Sequence, residues 1–216
     1  MLTYLPQPDE VENSANRTLS EDEVKKEIMN PTRSSEHLPV CLAFKLEKGK
    51  FGQLTYFRMY QGYLKKGTNL VNTRTGKPVK FSRLVKMHSN DMVDVDDVYA
   101  GDIFAAFGVD CASGDTFASQ QDSNLSMESM FVPDGVVSMS IAPKSDKHVQ
   151  NFIKAMTRFG NEDPSFRWKF DHEAGEYVMT GMGELHLEIY AQRMERKWCI
   201  IELRLQCLLE QLKCSL

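Results

Sequence analysis

The sequence lacks most of what marks an enzyme, a membrane protein or a disulfide-rich scaffold. No apolar run approaches the roughly 20 residues that cross a bilayer. The start, Met1-Leu2-Thr3-Tyr4-Leu5-Pro6, has neither the basic and apolar regions of a secretory signal nor the Arg-rich character of a transit peptide. The five cysteines, Cys41, Cys111, Cys199, Cys207 and Cys214, include no CxxC pair. Their odd number and irregular spacing argue against a disulfide framework or a zinc site, and for a reducing compartment.

Motifs for nucleotide, metal and acyl chemistry are missing as well. A phosphate loop needs Gly-x4-Gly-Lys-Ser/Thr. Gly62-Tyr63-Leu64-Lys65-Lys66-Gly67-Thr68 has the glycine spacing without the lysine, and reads as a connection between strands. No Asn-Lys-x-Asp guanine-reading motif occurs. None of the histidines His37, His88, His148, His172 and His186 lies in an HExxH arrangement. In Glu184-Leu185-His186-Leu187-Glu188, positions two apart sit about 200° around a helix, so Glu184 and His186 diverge. Glu184 and Glu188 share a face but have no third ligand there. Cys111-Ala112-Ser113-Gly114-Asp115-Thr116 lacks a nucleophile elbow and a partnered histidine, and reads as a tight turn. The expectation is no catalytic residue, no cofactor and no metal held by these residues.

Charge is present but segregated. The 216 residues carry 26 Lys+Arg and 30 Asp+Glu, a formal net charge of −4, which taken alone argues against a phosphate-rich partner. Residues 37–90, however, hold 11 bases and the single acid Glu47, whereas residues 91–135 hold 10 acids and no base. Two arrangements satisfy this pattern. The blocks form opposite faces, one turned to an anionic partner, or they neutralise each other within one domain. The basic stretch interleaves Lys45, Arg58, Lys65, Lys66, Lys80 and Arg83 with aromatic residues such as Tyr56, Tyr63 and Phe81. On a small barrel that pattern suits RNA backbone, or equally a barrel filled by its aromatics with the bases at ordinary solvated positions; composition does not choose between them.

Periodicity organises the chain into parts. Residues 1–36 are polar and broken by Pro6, Pro8 and Pro31, with Ser20 and Glu23 placed as a capping box for a short helix to Met29. Residues 37–120 read as β. Val40, Leu42, Phe44 and Leu46 alternate with Cys41, Ala43, Lys45 and Glu47, further strands are expected at 54–59, 69–72, 79–87 and 102–107, and glycine turns punctuate them. Regular short strands of this kind suggest a closed barrel. Residues 121–135 are expected to be a linker. In residues 136–197 the order becomes β-α-β-β-α: strands at 136–141, 166–170 and 177–180, and helices at about 146–160 and 183–197. That is a split βαβ unit of ferredoxin type still short of its last strand.

Several stretches resemble one family. Gly52-Gln53-Leu54-Thr55-Tyr56, with the segment from Arg58 through Gly62, Lys65, Lys66 and Gly67, looks like the second domain of translational GTPases. Tyr99-Ala100-Gly101-Asp102-Ile103 and Gly114-Asp115-Thr116 fit the same barrel. Gly181-Met182-Gly183-Glu184-Leu185-His186-Leu187-Glu188 is similar to the third-domain signature of elongation factor G. The stretch from Phe107 to Phe117 resembles the mitochondrial translocation form. The resemblance implies a β-barrel followed by an α+β ferredoxin-like domain lacking its usual last strand. It implies ribosome-binding or relay roles for Arg58, Gly62, Lys65, Lys66, Gly67, Gly101, Asp102, Gly114, Asp115, Gly183, Glu184 and His186. The implied partner is the mitochondrial ribosome, in the matrix, with no membrane contact and a monomeric chain. GTP and magnesium belong to the family's nucleotide domain, whose motifs are not in these 216 residues.

The resemblance is expected to run from residue 1, where the family's GTPase domain ends, to residue 197. Residues 198–216 are expected to be a tail foreign to the family. In that tail Ile201, Leu203, Leu205 and Cys207 alternate as a strand would, and Ile201, Leu205, Leu208 and Leu212 recur as a helix would. Its Leu, Glu, Gln, Arg and Lys content favours helix. The chain is accordingly expected to be a fragment of an elongation factor for GTP-dependent translocation. The alternatives are a stand-alone RNA- or ribosome-binding inhibitory module and an inert truncated product.

Overall fold

The structure is a computed structural model that describes residues 4–20, 23–49, 52–89, 91–128, 131–143, 145–198 and 201–202. The chain divides between Met130 and Phe131 into two compact units.

The first unit is all β: β1 (Ser14–Ser20), β2 (Glu23–Ile28), β3 (Val40–Gly49), β4 (Gly52–Gln61), β5 (Tyr63–Lys65), β6 (Asn69–Asn72), β7 (Pro78–Lys80), β8 (Leu84–His88), β9 (Asp91–Val95), β10 (Asp97–Tyr99), β11 (Ile103–Phe107), β12 (Thr116–Ala118) and β13 (Leu125–Met127). Eight strands form one antiparallel sheet in the order β7-β6-β12-β3-β4-β11-β8-β9, and β5 pairs separately with β10. The sheet curls as a half-barrel rather than closing. Its long spine is the β3–β4 ladder, from Val40 opposite Gln61 to Gly49 opposite Gly52, bent by two register shifts. Phe57, Phe81, Phe104 and Phe117 meet in the hollow, all essentially buried, with ring centroids 5.2–6.4 Å apart. Burying each ring contributes about 2–3 kcal/mol before the ring–ring contacts are added.

Several expectations are corrected here. Residues 23–28 form a strand, not a helix. Val24, Lys26 and Ile28 alternate with Lys25 and Glu27, and β1 offers a ready partner along the whole length. The residues expected as a linker contain β13, which pairs with the other edge of β1. Ala15, Met29, Leu125 and Met127 then bury against Val40, Leu42 and Ala118. Ala15 and Met29 therefore contribute to the first unit's core. The strand expected at 79–87 is interrupted at Phe81. Its ring turns into the core, and its backbone exchanges hydrogen bonds with Gly67 and Thr68 at 2.7 and 2.9 Å. The acidic residues 91–99 form β9 and β10, which the sequence reading omitted.

The second unit has β14 (Val137–Pro143), α1 (Val149–Glu162), β15 (Arg167–Asp171), β16 (Glu176–Gly181), α2 (Glu184–Trp198) and β17 (Ile201–Glu202). The sheet order β15-β16-β14-β17 is that of a ferredoxin-like unit. Phe152, Ala155, Met156 and Phe159 of α1 and Leu187, Tyr190, Ala191 and Met194 of α2 bury against Met139, Ile141 and Met179 of the sheet. The last strand that the sequence pattern left missing is supplied at the end of β14 by β17, with Glu202 opposite Ala142 and Ile201 opposite Pro143. Where the tail is described it takes the strand option. The helical expectation for residues 203–216 lies outside the described residues.

Candidate nucleic-acid interface

The residues singled out from the sequence separate into turn clamps, one basic cleft and a latch in the second unit.

The clamps are two copies of one device. In Tyr99-Ala100-Gly101-Asp102 and in Ala112-Ser113-Gly114-Asp115, the third residue is a glycine with φ of +88° or +94°. Only glycine takes that conformation cheaply. The aspartate carboxylate then reaches back to the first residue's N–H, at 3.1 Å in one turn and 2.9 Å in the other. Each turn docks on the sheet's spine in the same way. Gly101 N–H donates to Met59 O and Met59 N–H to Asp102 O, while Gly114 N–H donates to Ala43 O and Ala43 N–H to Asp115 O. Each aspartate also holds cations. Asp102 takes Arg33 at 3.0 and 3.2 Å and Lys86 at 3.4 Å. Asp115 takes Arg74 at 2.5 and 2.9 Å, with Asn72 adding a bond at 2.8 Å. Burial opposes ionisation of both carboxyls, but these donors win and hold both below the usual carboxylate range.

Gly62 has a different reason to be glycine. A Cβ there would stand 2.4 Å from the His37 carbonyl oxygen and 2.7 Å from that of Leu38. The segment from Gly62 to Thr68 is β5 followed by a turn, so it offers no phosphate loop. Arg58 lies in β4 with its guanidinium 4.8 Å from the Tyr60 ring centroid.

The basic cleft forms at that same turn. Lys65, Lys66 and Gly67 line an open hollow of about 670 Å³ together with Tyr63, Lys80, Ser82, Asp96 and Asp97. The Lys66 N–H donates to Asp96 O and the Gly67 N–H to Phe81 O, which brings Lys80 and Ser82 beside the turn. Lys80 belongs to the basic stretch that the sequence offers as a candidate surface, but its place beside Lys65 and Lys66, and that of Ser82, come from a non-local backbone pairing. Tyr63 and Tyr99 stack at a tilt, 4.9 Å between centroids. Burial and the nearby Asp97 carboxylate raise the pKa of both phenols.

The basic block is thus spent in two ways. Arg74, Arg83 and Lys86 are neutralised by Asp115, Asp94 and Asp102 of the acidic block, so part of the charge segregation is internal pairing. Among the described residues, Lys65, Lys66, Lys77 and Lys80 make no ion pair.

In the second unit, Gly183 precedes α2 and its carbonyl accepts the Leu187 N–H at 3.2 Å. Glu184 is exposed in the first turn. His186 is half-buried: its Nδ1 accepts the Met182 N–H at 3.2 Å, which leaves the proton on Nε2 to donate to Asp163 at 3.0 Å. The Tyr190 hydroxyl donates to the same carboxylate oxygen at 2.8 Å, and Ser165 donates twice to the other. Burial alone would raise the Asp163 pKa, yet the bonds from Ser165, Tyr190 and His186 lower it. Burial and Asp163 push the Tyr190 phenol up. His186 therefore ties the start of α2 to the end of α1, a role that Asp163, missed in the sequence, makes possible. No group of three or more His, Cys, Asp or Glu suited to a metal occurs among the described residues. Cys41 and Cys111 are buried, their thiols pushed up by burial, Cys111 to about 12.

A curled β unit with paired Gly-Asp clamps, followed by a ferredoxin-like unit whose second helix follows Gly-Met-Gly, is the arrangement that the resemblance implies for the second and third domains of a translation factor. Family models agree: elongation factor Tu domain 2 matches residues 52–118, and elongation factor G domain III matches residues 132–205. The second match runs past residue 197, where the likeness was expected to stop. The chain belongs to the elongation factor G family. "Elongation factor G, mitochondrial" of Anopheles gambiae is 58% identical over 198 residues, covering 92% of this chain. The Drosophila melanogaster protein of the same name is 57% identical over the same share. The chain spans 27% of the length of these relatives. A crystal structure of a Thermus thermophilus protein shares the fold over 82% of this chain and 27% of its own, with TM-score 0.65 at 24% identity.

Proposed function

We propose that the chain is the ribosome-binding second and third domains of a mitochondrial elongation factor that takes part in GTP-dependent translocation. The observation that carries this reading is the 58% identity to a mitochondrial elongation factor G, sustained across 92% of the chain and so through both units. The curled β unit supplies the surface for the small ribosomal subunit, and the third domain relays the nucleotide state of the factor. GTP and magnesium are not held by these residues. The segment that mimics a phosphate loop in glycine spacing is a strand and a turn, without a helix N-terminus behind it. The setting is the mitochondrial matrix, and the partner is the mitochondrial ribosome.

Competition tests this. An excess of the purified chain is expected to displace intact mitochondrial elongation factor G from mitochondrial ribosomes and to slow translocation. Undiminished binding of the intact factor at saturating chain would overturn the reading. Purified residues 1–216 are expected to add nothing to background GTP hydrolysis, checked by phosphate release.

A further inference from the structure

Residues 131–136 lead into β14 outside any helix or strand. They contain Asp134-Gly135, the single Asp-Gly step of the sequence, which has no Asn-Gly step. The Asp134 side chain is 86% exposed. Its ion pair with Arg167, at 3.0 Å, joins two exposed groups, and such a pair restrains little. The Gly135 N–H donates no hydrogen bond among the described residues, whereas the next amide, Val136 N–H, donates to Gly181 O at 2.9 Å. Packing demands the glycine. A Cβ at Gly135 would stand 2.7 Å from Thr180 Cγ2 and 3.0 Å from Gly181 N. The entry to β14 therefore requires the residue that shields the amide beside Asp134 least.

We propose that Asp134 is a site of spontaneous covalent modification, isomerising to isoaspartate and loosening the start of β14. The reaction needs no enzyme, cofactor or oxidant. The Gly135 nitrogen attacks Cγ of the protonated Asp134 carboxyl and gives up its proton. A C–N bond forms, the C–OH bond breaks, and water leaves, closing a five-membered succinimide. Water then adds to one of the two ring carbonyls. Addition at Cγ restores aspartate. Addition at the Asp134 main-chain carbonyl breaks its bond to the Gly135 nitrogen and leaves the chain running through Cγ. That product carries an extra methylene in the main chain just ahead of the Val136–Gly181 hydrogen bond and the close seat of Gly135 on Thr180. The fold withholds comparable steps elsewhere. Asp122, before Ser123, is 13% exposed and held by Arg17 at 2.8 Å. Asp171, before His172, accepts the Glu173 and Ala174 N–H groups. Asn13 donates its amide to Val11 O, and the Ser14 that follows lies in β1.

The test incubates the folded full chain at physiological temperature and pH in water enriched in heavy oxygen, then digests it for chromatography and mass spectrometry. The peptide holding Asp134 is expected to take up heavy oxygen and to split into aspartyl and isoaspartyl isomers. Uptake there is expected to run several times faster than in the peptides holding Asp122, Asp171 or Asn13. Uptake no faster than in those three overturns the site. Asp134→Glu, which would need a larger ring, is expected to abolish the uptake and most of the methyl groups that a purified isoaspartyl methyltransferase adds to the aged chain. Undiminished methylation overturns the assignment, because the isoaspartate then lies elsewhere. Asp134→Asn is expected to release ammonia and give the same isoaspartyl peptide faster still. An amide retained over the same period overturns the proposal, since the fold then shields this step. Circular dichroism before incubation confirms that both variants are folded. Hydrogen exchange at Val136 is expected to be severalfold faster in the aged chain than in the fresh one. Isoaspartate at 134 with exchange unchanged there overturns the loosening of β14.

Discussion

Asp102 and Asp115 show how a residue that looks like a binding candidate can be committed inward. Both are acidic residues in glycine turns, at positions the family resemblance marks, and both carboxylates are filled by an N–H three residues back and by cations. Asp115 is 4% exposed. Asp115→Ala leaves the Ala112 N–H and the Asn72 amide without their acceptor, and is expected to cost about 2–4 kcal/mol in urea unfolding of the first unit. The depressed folded pKa values of Asp102, Asp115 and Asp163 set a sign for acid behaviour. Their stabilisation is present above the unfolded carboxyl pKa, about 4, and is lost as pH falls through the lower folded values. Stability measured by urea titration is expected to be nearly flat from pH 7 to about 5 and to decline below about 4. Asp115→Asn is expected to remove part of that decline. His186→Leu strips one donor from Asp163 and orphans the Met182 N–H, and is expected to cost the second unit about 1–3 kcal/mol.

The elements divide into those that local pattern declares and those that only pairing creates. β3 and β4 were legible because their alternation is long and one face is buried. The β-α-β-β-α order was legible because helix and strand periods change cleanly at turns. The strand at 23–28 was misread because Ser20 and Glu23 satisfy a capping box, a local rule that the partner strand β1 overrides. β13 was invisible: three residues in a Ser- and Asp-containing stretch carry no period, and their role comes from Leu125 and Met127 filling the gap between β1 and the main sheet. That role is testable. Leu125→Ala is expected to cost about 2–5 kcal/mol and to expose residues 4–36 to limited proteolysis, read by mass spectrometry of the fragments. A true linker would tolerate the change.

Taken whole, the chain turns its charge segregation to two uses. Cancellation between residues 37–90 and 91–135 is partly physical, since three ion pairs join the blocks, so the net charge of −4 said little about partners. Among the described cations of the basic block without an ion pair, Lys65, Lys66 and Lys80 lie where β5, the turn at Gly67 and the end of β7 converge. The lysine pair at 65 and 66 was legible as a candidate. Lys80 was legible as part of the basic stretch but not as their neighbour, because a Gly67–Phe81 backbone contact brings it there. The most direct measurement of the account is cosedimentation of the purified chain with mitochondrial ribosomes over a range of salt concentrations. The account predicts binding at low salt that weakens steeply as salt rises. A chain that stays in the supernatant at low salt while folded would contradict it.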